Sequence, residues 1–175
     1  MKVVIIGGGE VGFHVAKALS EENYDITVID LDPIKCRRAS ENLDVIVVEG
    51  NGASPKTLTE AQVGEADYVL CLTRVDEVNL IASQQAHKLG ANKIIARLRN
   101  QQYTAKDSII RPEKFGVDVV IHPEQAACEE IMRLVKKYKR NGLLPIYTSI
   151  SWNIKKNEII IFTDSGRLCR PVFYV

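Results

Sequence analysis

The chain has 175 residues, of which 46% are hydrophobic and 26% are charged, and its formal net charge is +1. These values are ordinary for a soluble globular protein of one domain, or of one domain with an appendage. No apolar run approaches the roughly 18 residues needed to span a bilayer, so the composition predicts no membrane-spanning helix. The short apolar N-terminus carries one basic residue and predicts a first strand, not a signal peptide.

The first thirty residues have the pattern of one βαβ unit. An apolar run (Lys2–Ile6) leads into the glycine turn Gly7–Gly12. A helical stretch (Glu10–Ser20) and a second apolar run (Ile26–Ile29) follow, and the second run ends at Asp30. Strand, glycine turn, helix, strand and acid in this order predict a dinucleotide or adenine-nucleotide site. The alternative is a glycine turn kept only for close packing.

Each glycine of the turn has a physical task in that interpretation. Gly7 permits the turn, Gly9 lets a pyrophosphate approach the backbone, and Gly12 lets the helix pack closely on the sheet. The free N–H groups and the positive dipole end of the helix would bind the phosphates. Asp30 could accept hydrogen bonds from both ribose hydroxyls and would repel a 2′-phosphate, which favours NAD over NADP. We expect an Asp30 substitution to decide ribose recognition without touching the fold.

Four further apolar, β-branched runs predict strands. These runs are Val45–Val48, Tyr68–Leu72, Lys93–Leu98 and Val117–Ile121. Continuous apolar runs are typical of parallel strands buried on both faces. Ser54 and Pro55 mark a helix start. A further helix is predicted over Asp76–Leu89, with these residues on related faces: Val78, Ile81, Ala82, Gln85 and Leu89. Six strands with intervening helices predict an α/β fold with a doubly wound, Rossmann-like parallel sheet of order 3-2-1-4-5-6.

Ligands of such sheets bind beyond the carboxyl ends of the strands. Five short segments follow the first five strands, and each could by itself be ordinary turn chemistry. Their shared position on one edge favours a binding site. The segments are Gly7–Gly12, Asp30 with Asp32, Gly50–Gly52, Thr73 with Arg74, and Arg97–Asn100.

The last forty residues differ from the rest of the chain. Residues 1–132 carry 14 basic and 20 acidic side chains, whereas residues 133–175 carry 9 and 2. A basic stretch ends at Gly142, and three strand-like runs follow, separated by turns at Asn153–Asn157 and Asp164–Gly166. The runs are Ile146–Ile154, Glu158–Phe162 and Leu168–Val175. The sequence therefore predicts a nucleotide-binding domain over residues 1–135, and a basic linker with a short antiparallel β meander over residues 136–175.

Cysteines and histidines show no ligand spacing, so no metal site is predicted. The cysteines are expected to be reduced packing residues of a cytosolic protein. They are Cys36, Cys71, Cys128 and Cys169.

Residues 1 to about 135 resemble the Trk-A N-terminal (KTN/RCK) domain, the nucleotide-binding regulatory domain of microbial potassium transporters and channels. The resemblance rests on the order and spacing of several blocks. The blocks are KVVIIGGGEVGFHVAKAL, VID, EGNGASPKTL, EADYVLCLTRVDEVNLIAS, IARLRN with Tyr103, and VDVVIHPEQAAC.

The resemblance implies a role for thirteen residues. Phosphates would be held by Gly7, Gly9, Glu10, Val11 and Gly12. The adenosine ribose would be bound by Asp30, and the adenine pocket lined by Asn51 and Gly52. The nicotinamide ribose or the terminal phosphates would face Thr73, Arg74 and Glu77. Arg97 and Arg99 would lie near the phosphates or a subunit interface, or would form solvated salt bridges. The family more often has Asp where Asn51 stands.

The resemblance also implies a function. The ligand would be NAD or NADH, with ATP or ADP as the alternatives. The domain would be no enzyme but would gate a membrane potassium-transporter or channel subunit. It would form a homo-oligomer, a dimer or larger, through its last helix, and would lie in the cytoplasm at the inner face of the membrane. No nucleic-acid partner is expected.

A second resemblance covers the tail from Leu144 to Val175. This part is similar to a stretch of the second-largest subunit of multisubunit DNA-dependent RNA polymerases, with FTDSGRLCRPV as the specific block. It suggests a fusion or chimeric chain, and the alternative is chance similarity of a short meander. Two other functions stay open. His122 is the one candidate acid or base for an NAD-dependent oxidoreductase, and the basic run Arg133–Arg140 could contact nucleic-acid phosphates.

Overall fold

A computed structural model describes residues 1–105, 107–140, 147–153 and 158–163. The chain divides into two compact units, Met1–Pro123 and Glu124–Val175. In the described part of the chain, no helix is both long and apolar enough to cross a membrane.

The first unit is built on one sheet of six parallel strands in the order β3-β2-β1-β4-β5-β6. This order is the predicted one, and it confirms the doubly wound α/β fold. Each strand lies within two residues of its predicted bounds. The strands are β1 (Lys2–Ile6), β2 (Asp25–Asp30), β3 (Ile46–Glu49), β4 (Tyr68–Cys71), β5 (Lys93–Arg97) and β6 (Val119–Ile121).

Helices connect these strands. Asp32 is the N-cap residue of the second helix, since its carboxylate accepts a hydrogen bond from the N–H of Ile34 at 3.0 Å. Proline occupies the first position of the second and third helices, where its missing N–H costs nothing. The helices are α1 (Glu10–Ser20), α2 (Pro33–Asn42), α3 (Pro55–Glu60) and α4 (Asp76–Leu89).

The central strand β1 is buried on both faces, as its uninterrupted apolar run predicts. Val4 and Ile6 point into one core cluster, together with Val69 and Leu80. Val3 and Ile5 point into a second cluster on the opposite side of the sheet. The pairing of β1 with both β2 and β4 places the carboxyl ends of all three strands at one edge.

The buried face of helix α4 is not the one on which its large apolar residues Ile81 and Leu89 lie. Ile81 and Leu89 are both 41% exposed, although the sequence places them on related faces with Ala82. The face that packs on the sheet is made of small and polar residues and one leucine. They are Asp76, Asn79, Leu80, Ala82, Ser83 and Ala86. Small side chains let the helix approach the sheet closely, and the polar ones find partners at the strand ends.

The buried thiols behave as packing groups. Cys71 is fully buried at the end of β4, and burial raises the pKa of its thiol to about 12. The pKa of Cys36 is also raised, first by burial and then by the neighbouring Asp30 carboxylate. Among the described residues, no group of His, Cys, Asp and Glu side chains could hold a metal ion.

The second unit contains most of helix α5 (Pro123–Arg140) and a two-stranded antiparallel sheet of β7 (Tyr147–Asn153) and β8 (Glu158–Thr163). These strands correspond to the first two predicted runs of the tail. The third run, Leu168–Val175, and the turn at Asp164–Gly166 lie outside the described residues.

Candidate functional site

A cavity of about 440 Å³ opens at the carboxyl edge of the parallel sheet, where the topology predicts a ligand. The structure brings ten of the thirteen predicted site residues to its wall. They are Gly7, Gly9, Glu10, Val11, Asp30, Asn51, Gly52, Thr73, Arg74 and Arg97. Apolar residues and one lysine complete the wall, namely Ile6, Ile29, Leu31, Lys35, Leu72, Val75 and Val78.

The glycine turn has the backbone that the sequence predicts. Gly7 has φ of +110°, a conformation that side chains strongly disfavour. A Cβ at Gly12 would collide with the carbonyl oxygen of Gly7, so Gly12 permits the close contact between α1 and the end of β1. A Cβ at Gly9, in contrast, would meet no atom within 4 Å, because this position faces the open cavity.

The N-terminus of α1 lies beside this opening. Gly9 provides no side-chain cap, and the first backbone hydrogen bond of the helix runs from Phe13 N–H to the Gly9 carbonyl at 2.8 Å. The N–H groups of Glu10, Val11 and Gly12 therefore have no partner within the helix. Free N–H groups with the positive end of the helix dipole form an anion-binding position.

Asp30 lies at the end of β2 with its side chain only 11% exposed. One carboxylate oxygen accepts a hydrogen bond from the N–H of Gly8 at 2.7 Å, and the other accepts one from the N–H of Asp32 at 2.9 Å. Asp30 therefore holds the glycine turn and the start of α2 in place. The expectation that its substitution leaves the fold untouched is wrong, because removal of the carboxylate would leave these amides without their acceptor.

Lys35 is a wall residue that the sequence reasoning missed. Its ammonium lies 3.5 Å from Oδ1 of Asp30 and 3.5 Å from Oδ2 of Asp32. The signal was the Asp32-Pro33 pair, which marks a helix start as Ser54-Pro55 does and fixes Lys35 three residues after the cap.

The loop after β3 contributes Asn51 and Gly52 to the cavity wall. Asn51 accepts a hydrogen bond from the N–H of Ala53 at 2.9 Å, which is the turn chemistry that competed with its functional interpretation. Gly52 packs directly against the side chain of Ile6, so no larger residue fits there. Gln85 of α4 donates to the carbonyl of Ala53 at 2.7 Å and ties this loop to the helix.

Three predicted site residues do not line the cavity. Gly12 lies beneath the turn. The exposed Glu77 accepts a hydrogen bond from the hydroxyl of Tyr103 at 2.7 Å, which lowers the pKa of Glu77 and raises that of Tyr103. The side chain of Arg99 is exposed, and its backbone N–H donates to both carboxylate oxygens of Asp76 at 3.0 and 2.9 Å.

Glu10 combines a position on the cavity wall with an ion pair across to α2. Its carboxylate accepts a hydrogen bond from Arg38 at 2.5 Å, and this contact is the main reason why the pKa of Glu10 is lowered. The Arg38 guanidinium also lies 4.0 Å from the centre of the Phe13 ring. These contacts connect α1 to α2 beside the N-terminus of α1.

His122 is not part of the cavity wall. Its Nδ1 lies 2.7 Å from the carbonyl oxygen of Leu98, and its Nε2 lies 3.2 Å from the hydroxyl of Thr104. Both ring nitrogens are thus engaged in joining the end of β6 to the loop after β5. The one candidate acid or base for hydride chemistry has a structural role here.

Two family profiles match the chain. The TrkA-N domain profile matches residues 3–123, and the profile of RNA polymerase Rpb2, domain 4 matches residues 116–175. Both resemblances seen in the sequence are confirmed, and they overlap at residues 116–123. The match of two different family profiles to successive parts of the chain agrees with a fusion or chimeric chain.

Curated relatives match about three quarters of the chain. The chain is 40% identical over 135 residues to the Trk system potassium uptake protein TrkA homolog of Archaeoglobus fulgidus, which covers 77% of this chain and 30% of that protein. It is 44% identical over 138 residues to Trk system potassium uptake protein trkA homolog 1 of Methanosarcina mazei, covering 75% of this chain and 33% of that protein. The chain thus spans about a third of the length of these relatives.

Solved structures share the fold. The TrkA-N domain of inner membrane protein ybaL from Escherichia coli has a TM-score of 0.66 at 18% identity, with 76% of this chain and 95% of that chain covered. The Kef C-terminal domain of Shewanella denitrificans, in its AMP-bound form, has a TM-score of 0.60 at 21% identity, covering 81% and 89%. The GsuK channel bound to NAD has a TM-score of 0.59 at 15% identity, covering 93% and 28%.

Proposed function

The chain belongs to the TrkA-N domain family, and from that membership we propose that it binds an adenine nucleotide at the sheet edge and thereby regulates a potassium transporter or channel. One observation supports the nucleotide-binding part of this proposal. The cavity joins an uncapped helix N-terminus, a glycine that faces open space and a carboxylate at the end of β2. These are the groups that phosphate and ribose require.

The wall residues suit successive parts of a nucleotide. The N–H groups at the start of α1 would hold the phosphates, with Gly9 leaving room for their approach. Asp30 would accept ribose hydroxyls. Its Oδ2 has one protein hydrogen bond and keeps capacity for another, whereas Oδ1 accepts from the N–H of Asp32 and, at 3.5 Å, from Lys35. Asn51 and Gly52 would line the adenine pocket. Thr73, Arg74 and Arg97 would meet the far end of the ligand, and Glu77 and Arg99 would contact only a ligand that extends past the cavity.

The charges around the ribose position favour NAD or NADH over NADP. A 2′-phosphate would lie against Asp30, and Asp32 adds a second carboxylate next to it, whereas Lys35 supplies one cation. ATP and ADP satisfy the same phosphate and ribose contacts and are the alternative ligands. The AMP-bound Kef domain and the NAD-bound GsuK channel share the fold, which supports a nucleotide of either kind.

We propose a regulatory role in which no bond is made or broken. A nucleotide that binds one domain arrangement better than another shifts the population toward that arrangement, and its differential affinity supplies the free energy. The partner would be a membrane potassium-transporter or channel subunit, with the domain in the cytoplasm at the inner face of the membrane. Such coupling suits a homo-oligomer, and α5 would provide the contact between copies.

The tail is proposed to be a fused segment without activity of its own. We retain the division into a nucleotide-binding domain over residues 1–135 and a basic linker with β meander over residues 136–175. The basic side chain of Arg133 is paired with Glu130 at 2.6 Å, as on an ordinary solvated helix. No nucleic-acid function is proposed.

Calorimetric titration of the 175-residue chain with NADH, NAD, ATP and ADP tests the proposal, with NADPH as the control ligand. We expect at least one of the four to bind with a dissociation constant well below about 1 mM, and NADPH to bind more weakly than NADH. Light scattering on the same samples measures the oligomeric state with and without nucleotide. No binding below about millimolar concentration by any of the four would remove the basis of the regulatory role.

A further inference from the structure

Asn79 is a fully buried amide on the sheet-facing side of α4, with 0% of its surface exposed. Its Oδ1 accepts hydrogen bonds from the backbone N–H of Thr73 at 3.0 Å and from the hydroxyl of Thr73 at 2.6 Å. Its Nδ2 donates to the carbonyl of Thr73 at 3.1 Å and to the carbonyl of Arg97 at 2.8 Å. The amide thus makes the four hydrogen bonds that its polar atoms can form.

These bonds connect two strands beyond the point where their ladder ends. The pairing of β4 with β5 stops at Cys71 and Ala96. Thr73 lies two residues after Cys71 and Arg97 lies one residue after Ala96, and both line the cavity. Arg97 still pairs with Ile121 of β6, but the β4–β5 ladder no longer joins it to Thr73. The Asn79 side chain therefore fixes the separation of these two wall residues.

Asp76 continues the same connection one turn earlier on α4. It is 7% exposed, and its carboxylate accepts hydrogen bonds from the N–H groups of Arg99 and Asn100. The segment after β5 is thus held at its carbonyl by Asn79 and at its amides by Asp76. This arrangement leaves Arg97 little freedom to move relative to Thr73.

We propose that Asn79 is a positioning residue of the nucleotide site. It takes the proton of the Thr73 hydroxyl, which leaves that oxygen to accept a hydrogen bond from the second ribose of the ligand, and it places the Arg97 side chain for the terminal phosphate. The inference rests on the proposed function, since it assigns Asn79 a task in nucleotide binding. A buried amide that only stabilises the core would instead affect folding and leave affinity unchanged in the protein that remains folded.

The test compares Asn79→Ala with Ser83→Ala, a matched control from the same buried face. Ser83 is 0% exposed and donates to the carbonyl of Asn79 at 2.7 Å, but it does not line the cavity. Both variants lose stability in chemical denaturation. Asn79→Ala is expected to weaken binding of the tightest nucleotide by about 10-fold or more, whereas Ser83→Ala stays within about 2-fold of wild type.

A double-mutant cycle separates positioning from general damage. In an Arg97→Ala background, Asn79→Ala should cost much less affinity than in wild type, because one of the groups it places is already absent. Asn79→Asp serves if the alanine variant does not fold. It keeps the acceptor for Thr73 but turns a carboxylate oxygen toward the carbonyls of Thr73 and Arg97, so a similar loss is expected.

The outcomes distinguish a failure of the proposed nucleotide binding from a failure of the positioning role of Asn79. If wild type binds none of the four nucleotides, the proposed function fails and this inference fails with it. If wild type binds and the folded Asn79 variants bind equally well, the positioning role is wrong while the function stands. Equal losses in the wild-type and Arg97→Ala backgrounds would also overturn it, because Asn79 would then act independently of Arg97.

Discussion

Replacing Asp30 by asparagine tests both the hydrogen bonds by which it holds the glycine turn and its proposed task of binding ribose. The carboxylate receives the N–H groups of Gly8 and Asp32 at 2.7 and 2.9 Å and is 11% exposed. An asparagine keeps one oxygen acceptor and turns an NH₂ group toward the other amide. Losing one charge-assisted bond to a partly buried amide costs about 1.5–3 kcal/mol of unfolding free energy.

The effect on binding adds to this loss of stability. A ribose that donates two hydroxyl hydrogen bonds to the carboxylate would lose at least one of them, and the other would become neutral. At about 1.5–3 kcal/mol for a hydrogen bond to a charged group, NADH affinity should fall by roughly 10-fold to 100-fold. The protein must be shown to be folded at the titration temperature, which far-ultraviolet circular dichroism establishes.

Asp118→Asn is the matched control for Asp30→Asn. Asp118 also holds a backbone amide, that of Ile94 at 2.7 Å, and pairs with Lys93 at 3.0 Å, but it lies at the opposite edge of the sheet. Its substitution should lower stability and leave NADH affinity unchanged. If Asp30→Asn lowers stability but binds NADH as tightly as wild type, the ribose position has been assigned to the wrong residue.

Three further predictions concern single residues. Gly9→Ala should fold with a denaturation midpoint close to wild type but bind NADH more weakly. Gly12→Ala should be severely destabilised, because only the Cβ at Gly12 meets the backbone. Equal stability of the two variants would contradict this geometry. The pKa of Asp118 is lowered, mainly by its hydrogen bond from the Ile94 amide, so its contribution to stability is present above the ordinary Asp range near 4 and is lost as pH falls through its lower folded pKa. Urea titrations at several pH values should show a smaller loss of stability at acid pH in Asp118→Asn than in wild type, and parallel pH curves would refute it. Because burial raises the pKa of Cys71 to about 12, its thiol should stay unmodified by an alkylating reagent at pH 8 while the half-buried Cys128 reacts; peptide mass spectrometry would contradict this if Cys71 were labelled in the folded protein.

The features predicted well are those that short segments determine. The glycine turn, α1 and the end of β2 lie within one βαβ unit, and Gly7 and Gly12 have local reasons in backbone conformation and close packing. The strand order follows from general rules of connection for parallel sheets, so it could be predicted without knowing any side-chain contact. Gly7 and Gly12 behave in the structure as the pattern requires.

The features that were missed depend on contacts between distant segments. On α4 the spacing of large apolar residues places Ile81 and Leu89 on related faces, but small residues let the opposite face pack on the sheet. Asn79 is ordinary on a helix until the ends of β4 and β5 supply its partners. Asp30 likewise acquires its structural task only when the glycine turn is placed beside β2. Local patterns carry no information about such partners.

Amide chemical shifts measured by NMR during titration with NADH or ADP test the central claim most directly, because they report where on the fold the nucleotide binds. We expect saturable shifts at the amides of Gly9, Glu10, Val11 and Gly12, with little change at Ile94 on the opposite edge of the sheet. Saturable shifts confined to other parts of the fold, or none up to about millimolar ligand, would contradict it.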